Sequence, residues 1–167
     1  MKLVENNWNY AEPGILFWDN IKKYHLLSED KDFKHDGVNP CAEEPLPAGG
    51  SCLLGSINLS EFVVEPFTKE AIFDMEKFNA CVQDCILGLN EVLDEGLSLH
   101  PLKQQQESVS KYRQIGLGVM GIADMLIKLN MRYGSSESIE LCDKISKHML
   151  NSAVKKSALI AKERGAF

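Results

Sequence analysis

Asn39-Pro40-Cys41-Ala42-Glu43-Glu44-Pro45-Leu46, followed after Pro47 to Gly50 by Ser51-Cys52-Leu53-Leu54-Gly55-Ser56-Ile57-Asn58-Leu59-Ser60, decides how the chain is read. Residues 39–51 hold three prolines and two glycines. That span is expected to be a stiff loop, since it cannot sustain a regular element. A stiff loop can hold side chains in fixed geometry. In an extended backbone, residues i and i+2 point the same way, which would put the Asn39 amide, the Cys41 thiol and the Glu43 carboxylate on one side. Together these groups can grip and activate a hydroxyl-bearing substrate. The pattern alone also allows a polar loop with an incidental cysteine. Cys52 lies eleven positions after Cys41, and the two meet only if the intervening segment folds back. By pattern, Cys52 reads as a buried cysteine ahead of a strand.

The rest of the chain sets the frame. Its 167 residues, 44% of them hydrophobic, suit one domain with a core and exclude wholesale disorder. A net charge of −6 argues against a nucleic-acid backbone as partner, which needs clustered Lys and Arg. It does not argue against a single nucleotide. No apolar run approaches the roughly 20 residues of a membrane span. The stretch Met1 to Asn7 lacks the apolar core of a secretory signal. Five cysteines without a dense framework fit a reducing cytoplasm. No pair has Cys-x-x-Cys spacing and the four histidines are scattered, so no metal site is expected.

Periodicity predicts a mostly helical chain with two or three short strands. Residues 8–27 read as a helix, with Pro13 in its first turn and Ile15, Leu16, Trp18, Ile21 and Tyr24 as an apolar stripe. Residues 28–38 read as loop and 56–63 as a strand. Thr68 is expected to cap a long helix running to about Asp94, with Phe78, Val82, Cys85, Ile86, Leu89 and Val92 at helical spacing and Gly96 as its stop. Pro101 opens another helix, residues 112–119 form a short strand entering a turn, and residues 122–129 form an amphipathic helix. Ser135 or Ser136 caps the last helix, which ends at Gly165 after Lys162 and Arg164. Two or three isolated strands cannot make a stable sheet, and the chain stops directly after a helix. Both features point to a segment of something larger.

Taken together, residues 39–46 and 51–60 resemble the active-site finger loop, about residues 39–52 here, of ribonucleotide reductase large subunits. Further blocks agree in order. Ala11-Glu12-Pro13-Gly14-Ile15-Leu16-Phe17 is similar to the segment that leads into that loop. Tyr112-Arg113-Gln114-Ile115-Gly116-Leu117-Gly118-Val119-Met120-Gly121-Ile122-Ala123-Asp124 is similar to a strand-to-helix block, and Ala161 to Phe167 to a helix end that follows. The likeness runs from about Trp8 to Phe167. It implies an α/β fold, with residues 1–167 as a single, incomplete segment of the family's ten-stranded α/β barrel.

The resemblance also implies roles. Cys41 matches the cysteine that becomes a thiyl radical and removes the 3′ hydrogen of the substrate ribose. Glu43 matches the carboxylate that takes the 3′-hydroxyl proton. Asn39 matches the amide that binds the substrate hydroxyls and orients that carboxylate. Cys52 matches one member of the redox pair that supplies electrons as the 2′-hydroxyl leaves as water. The implied activity is reduction of ribonucleoside di- or triphosphates to deoxyribonucleotides for DNA synthesis. The other redox cysteine and the phosphate-binding segments of the family have no counterpart here, so the segment alone is expected to be inactive. The eleven-residue spacing and the Asn-Pro-Cys-x-Glu-x-Pro-Leu wording look more like adenosylcobalamin-dependent members than like those fed by a separate metal-containing radical subunit. No cobalamin-binding residue is expected in this segment. Partners implied are nucleotide effectors, a thioredoxin-like reductant and a homodimer mate, with no nucleic acid and no membrane. The alternative is a non-catalytic helical scaffold that kept the loop.

Other chemistry-bearing residues read more plainly. Cys81 and Cys85, four apart on a predicted helix with Phe78, Val82 and Leu89, are expected to pack in the core, and Cys142 likewise. Gly116-Leu117-Gly118-Val119-Met120-Gly121 matches Gly-x-Gly-x-x-Gly literally, but residues 110–114 do not form the buried strand that a dinucleotide site requires. Tight packing of a strand against the following helix is the better reading. His25, His35, His100 and His148 show no partner pattern.

Overall fold

The computed structural model describes residues 2–167. Two compact units are present, Met1–Gly50 and Ser51–Phe167.

The first unit holds helices α1 (Lys2–Tyr10) and α2 (Trp18–Tyr24) and an antiparallel pair, β1 (Gly37–Val38) with β2 (Pro45–Leu46). The single helix expected over 8–27 is therefore two helices. Ala11 leaves α1 in the left-handed region at φ 55, and Pro13 has no N–H to continue a helix. Ile15 and Leu16 fall between the helices and are exposed, as is Tyr24, so the expected stripe reduces to Trp18 and Ile21. Phe33 is buried and stacks on His25 at a centroid distance of 4.8 Å.

The second unit is an α/β arrangement. Strand β3 (Leu54–Asn58) pairs in parallel with β6 (Gly116–Met120), in register Leu54↔Gly116 to Asn58↔Met120. Between them come a 3-10 turn (Leu59–Phe62), the antiparallel pair β4 (Val63–Val64) with β5 (Ile72–Phe73), and helices α3 (Met75–Leu97) and α4 (Lys103–Tyr112). Helices α5 (Ile122–Lys128) and α6 (Ser136–Arg164) follow. Two parallel strands joined by a helical crossover are the basic α/β unit. All three sheets among the described residues are two-stranded, so no barrel closes among those residues. Six strands are present among the described residues rather than two or three, four of them only two residues long.

Several boundaries moved for identifiable reasons. The strand expected over 56–63 begins at Leu54 and ends at Asn58, whose side chain accepts from Ser60 N and turns the chain into the 3-10 segment. Thr68 does not cap α3. Its hydroxyl donates to Glu65 O at 2.7 Å and accepts from Glu70 N. Asp74, following β5, accepts from Lys77 N at 2.9 Å and is the cap. Gly96 lies inside α3, which runs one residue further. Ser135 caps α6 and Gly165 terminates it, as expected.

Phe78, Val82, Ile86, Leu89 and Leu93 form the buried stripe of α3. Phe78 and Val82 join Ile57, Leu59, Phe62, Met125, Leu126 and Ile145 in the core. Phe62, Phe73 and Phe78 pack as an aromatic trio with centroids 5.4 to 5.9 Å apart. Lys128 Nζ donates to Ser60 O at 2.9 Å, tying α5 to the 3-10 turn.

Candidate active-site loop

The segment carrying Asn39, Cys41 and Glu43 is the six-residue connection of the β1–β2 hairpin, residues 39–44. Its backbone is not extended. Ala42 N donates to Asn39 O at 2.9 Å, which closes a turn with Pro40 at the second position, where a fixed φ is favourable. Ala42 then adopts φ 68. The i/i+2 alignment expected for an extended strand therefore does not apply, because a turn rotates successive residues differently. Asn39 closes the loop a second time: its Oδ1 accepts from Glu44 N at 3.0 Å. An asparagine at this place satisfies backbone donors that a short loop would otherwise leave open. Cys41 and Glu43 project from the tip and are exposed, whereas Asn39 is half-buried.

Cys52 belongs to the second unit, two residues before β3. It is exposed, not buried as its pattern suggested. The chain just after it is anchored, since Gly116 N donates to Leu53 O at 2.8 Å. The loop assigned to 39–52 thus runs from one unit into the other, with Asn39, Cys41 and Glu43 brought together on one hairpin and Cys52 on the next unit.

The glycines approach β3 and the turn after it, not the following helix as expected: a Cβ at Gly118 would come nearest Ser56 and Gly55. Gly116 and Gly118 lie within β6 rather than after a strand. Gly121 stands in the left-handed region at φ 73 as the residue before α5. A side chain there would run into Asn58.

Sequence reasoning missed one cluster. His25 and His35 meet edge to face at 4.4 Å, with Phe33 and Trp18 around them. Burial first, then the neighbouring His35, lowers the His25 pKa; burial, then Lys22, lowers that of His35. The two histidines are ten residues apart in irregular chain, so no periodicity announced them.

Comparison with known proteins places the fold and loop in context. The chain belongs to the ribonucleotide reductase barrel-domain family, whose model matches residues 1–167. A vitamin B12-dependent ribonucleoside-diphosphate reductase of Thermoplasma acidophilum is 36% identical over 165 residues, 99% of this chain and 20% of that protein. A protein of the same name from Mycobacterium tuberculosis is 31% identical over 157 residues, 94% of this chain and 21% of that protein. The ribonucleoside-diphosphate reductase subunit alpha of Chlamydia pneumoniae is 34% identical over 174 residues, 99% of this chain and 15% of that protein. The chain thus spans about a fifth or less of the length of these relatives.

Among the described residues no three His, Cys, Asp or Glu side chains are placed to hold a metal ion. No helix among the described residues is long and apolar enough to cross a membrane.

Proposed function

We propose that this chain supplies the thiol-bearing loop of a ribonucleotide reductase catalytic subunit acting on ribonucleoside diphosphates. The observation that carries the reading is the hairpin tip, where exposed Cys41 lies within the turn that Asn39 closes and exposed Glu43 follows it. A thiol is suited to hydrogen-atom exchange with carbon because its S–H bond is weak. As a thiyl radical, Cys41 takes the 3′ hydrogen of the ribose. Glu43 takes the proton of the 3′-hydroxyl, which eases loss of the 2′-hydroxyl as water. Asn39 engages the substrate hydroxyls and, through Glu44 N, fixes the loop that presents both groups. Cys52 and a second cysteine outside this segment provide the two electrons, closing to a disulfide that an external dithiol reopens.

The relatives' names favour adenosylcobalamin as the radical source and diphosphates as substrates. When bound elsewhere in the enzyme, that cofactor supplies the initial radical. The residues here position, abstract and deprotonate. The test is deoxyribonucleotide formation by the intact catalytic subunit that contains this segment, given a ribonucleoside diphosphate, a dithiol and adenosylcobalamin. Product is expected only with the cofactor present. Product formed without it, on adding a metal-containing radical subunit, overturns the cofactor assignment. No product under either condition, from an enzyme that folds and binds nucleotide, overturns the activity.

A further inference from the structure

Cys81, Cys85 and Cys142 are the thiols that the proposed chemistry does not use. Cys81 and Cys85 stand one turn apart on α3, both half-buried at the edge of the core. Both pack against the same core cluster, on one face of the helix. At i and i+4 on a helix the Cβ atoms lie about 5–6 Å apart, beyond the roughly 3.5–4.5 Å that a disulfide requires. The helix therefore opposes a direct sulfur–sulfur bond, whereas one large atom inserted between the sulfurs closes the gap. Among the described residues no third or fourth donor joins the pair, as a four-ligand zinc centre would need. Burial first, then the adjacent Cys81 thiol and Asp84, pushes the Cys85 thiol upward. A ligand must then displace thiol protons, which soft thiophilic centres do.

We propose that Cys81 and Cys85 form a dithiol site for a soft thiophilic centre, with trivalent arsenic as the chemical class, bridging both sulfurs along α3. With an aryl arsenoxide the step balances without redox change. The arsenic–oxygen double bond breaks, two arsenic–sulfur bonds form, and the two thiol protons leave with the oxygen as water.

The test uses the whole chain and phenylarsine oxide. Trypsin cleavage after Lys77 and Lys103 releases Phe78 to Lys103, which carries these two cysteines and no others. The expected result is one arsenical on that peptide with both of its thiols protected from iodoacetamide, while Cys41 and Cys52 still alkylate. In a background with Cys41, Cys52 and Cys142 replaced by serine, Cys85→Ser should weaken binding by about 10²-fold or more, because the second bond is then no longer intramolecular. Arsenical found only on other peptides, one thiol of Phe78 to Lys103 still alkylated, or unchanged affinity in Cys85→Ser overturns the proposal. The peptide measurement needs no variant, so it decides even if Cys85→Ser does not fold.

Discussion

Gly121→Ala should destabilise the second unit by an amount that can be worked from two separate causes. Gly121 has φ 73, and holding an alanine in the left-handed region costs about 1–2 kcal/mol. The added Cβ would overlap Asn58 Oδ1 and stand 3.3 Å from Asn58 Cγ. Asn58 must then swing away from Ser60 N, to which it is bonded at 3.2 Å. Losing a cap of this kind costs about 0.5–2 kcal/mol. The sum is about 1.5–4 kcal/mol, read as a fall in urea unfolding free energy. The two causes separate in a double-mutant cycle. In an Asn58→Ala background the overlap and the cap are already gone, so Gly121→Ala should cost only the backbone part of about 1–2 kcal/mol. An equal cost in both backgrounds, or a cost well under 1 kcal/mol in the wild type, refutes the reasoning.

Three further outcomes follow from the packing and charge pattern. Phe78→Ala should cost about 3–5 kcal/mol by urea unfolding, since Phe78 is fully buried among Phe62, Phe73 and Val82. Arg113, whose Nη1 donates to Asp94 at 2.6 Å, holds the Asp94 carboxyl below the usual carboxylate range. A folded-state pKa depressed in this way gives stability that is present above the unfolded value of about 3.9 and is lost as pH falls through the folded value. Asp94→Asn should remove that acid-side slope from urea midpoints. Asp94 is 41% exposed, so screening holds the loss at neutral pH to less than about 1 kcal/mol. Asn39→Ala should leave the Glu44 amide without its side-chain acceptor, costing about 0.5–1.5 kcal/mol locally, seen as faster hydrogen exchange at Glu44 N.

What the sequence revealed tracks how local each signal is. Ser135 and Gly165 bound α6 because caps and stops act within a turn of the chain. The stripe of α3 was legible through Phe78, Val82, Ile86 and Leu89, which repeat at helical spacing, whereas the expected Val92 is exposed and Leu93 is buried in its place. The start of α3 was not legible, because β5 owes its existence to pairing with β4 eight or more residues earlier. That pairing displaced Thr68 as cap in favour of Asp74. Strands of two residues have no alternation to detect, which hid β1 and β2 and, with them, the hairpin that presents Cys41. In the candidate site, residue identities came from the motif, whereas its geometry came from the Asn39 turn, which an extended reading missed. The His25–His35 contact depended on tertiary folding of irregular chain and left no pattern.

The proposed division of labour between Cys41 and Cys52 is tested most directly by tritium release from 3′-labelled ribonucleotide in the intact catalytic subunit, with free-base release followed alongside. Cys41→Ser should release no tritium, because a serine O–H bond is too strong to exchange hydrogen with the 3′ carbon. Cys52→Ser should still release tritium, and the unreduced intermediate should then decompose and shed its base. Glu43→Gln keeps the thiol but loses the base, and should release tritium at a reduced rate. Tritium release by Cys41→Ser equal to that of the wild type would contradict the assignment of Cys41 as the radical site.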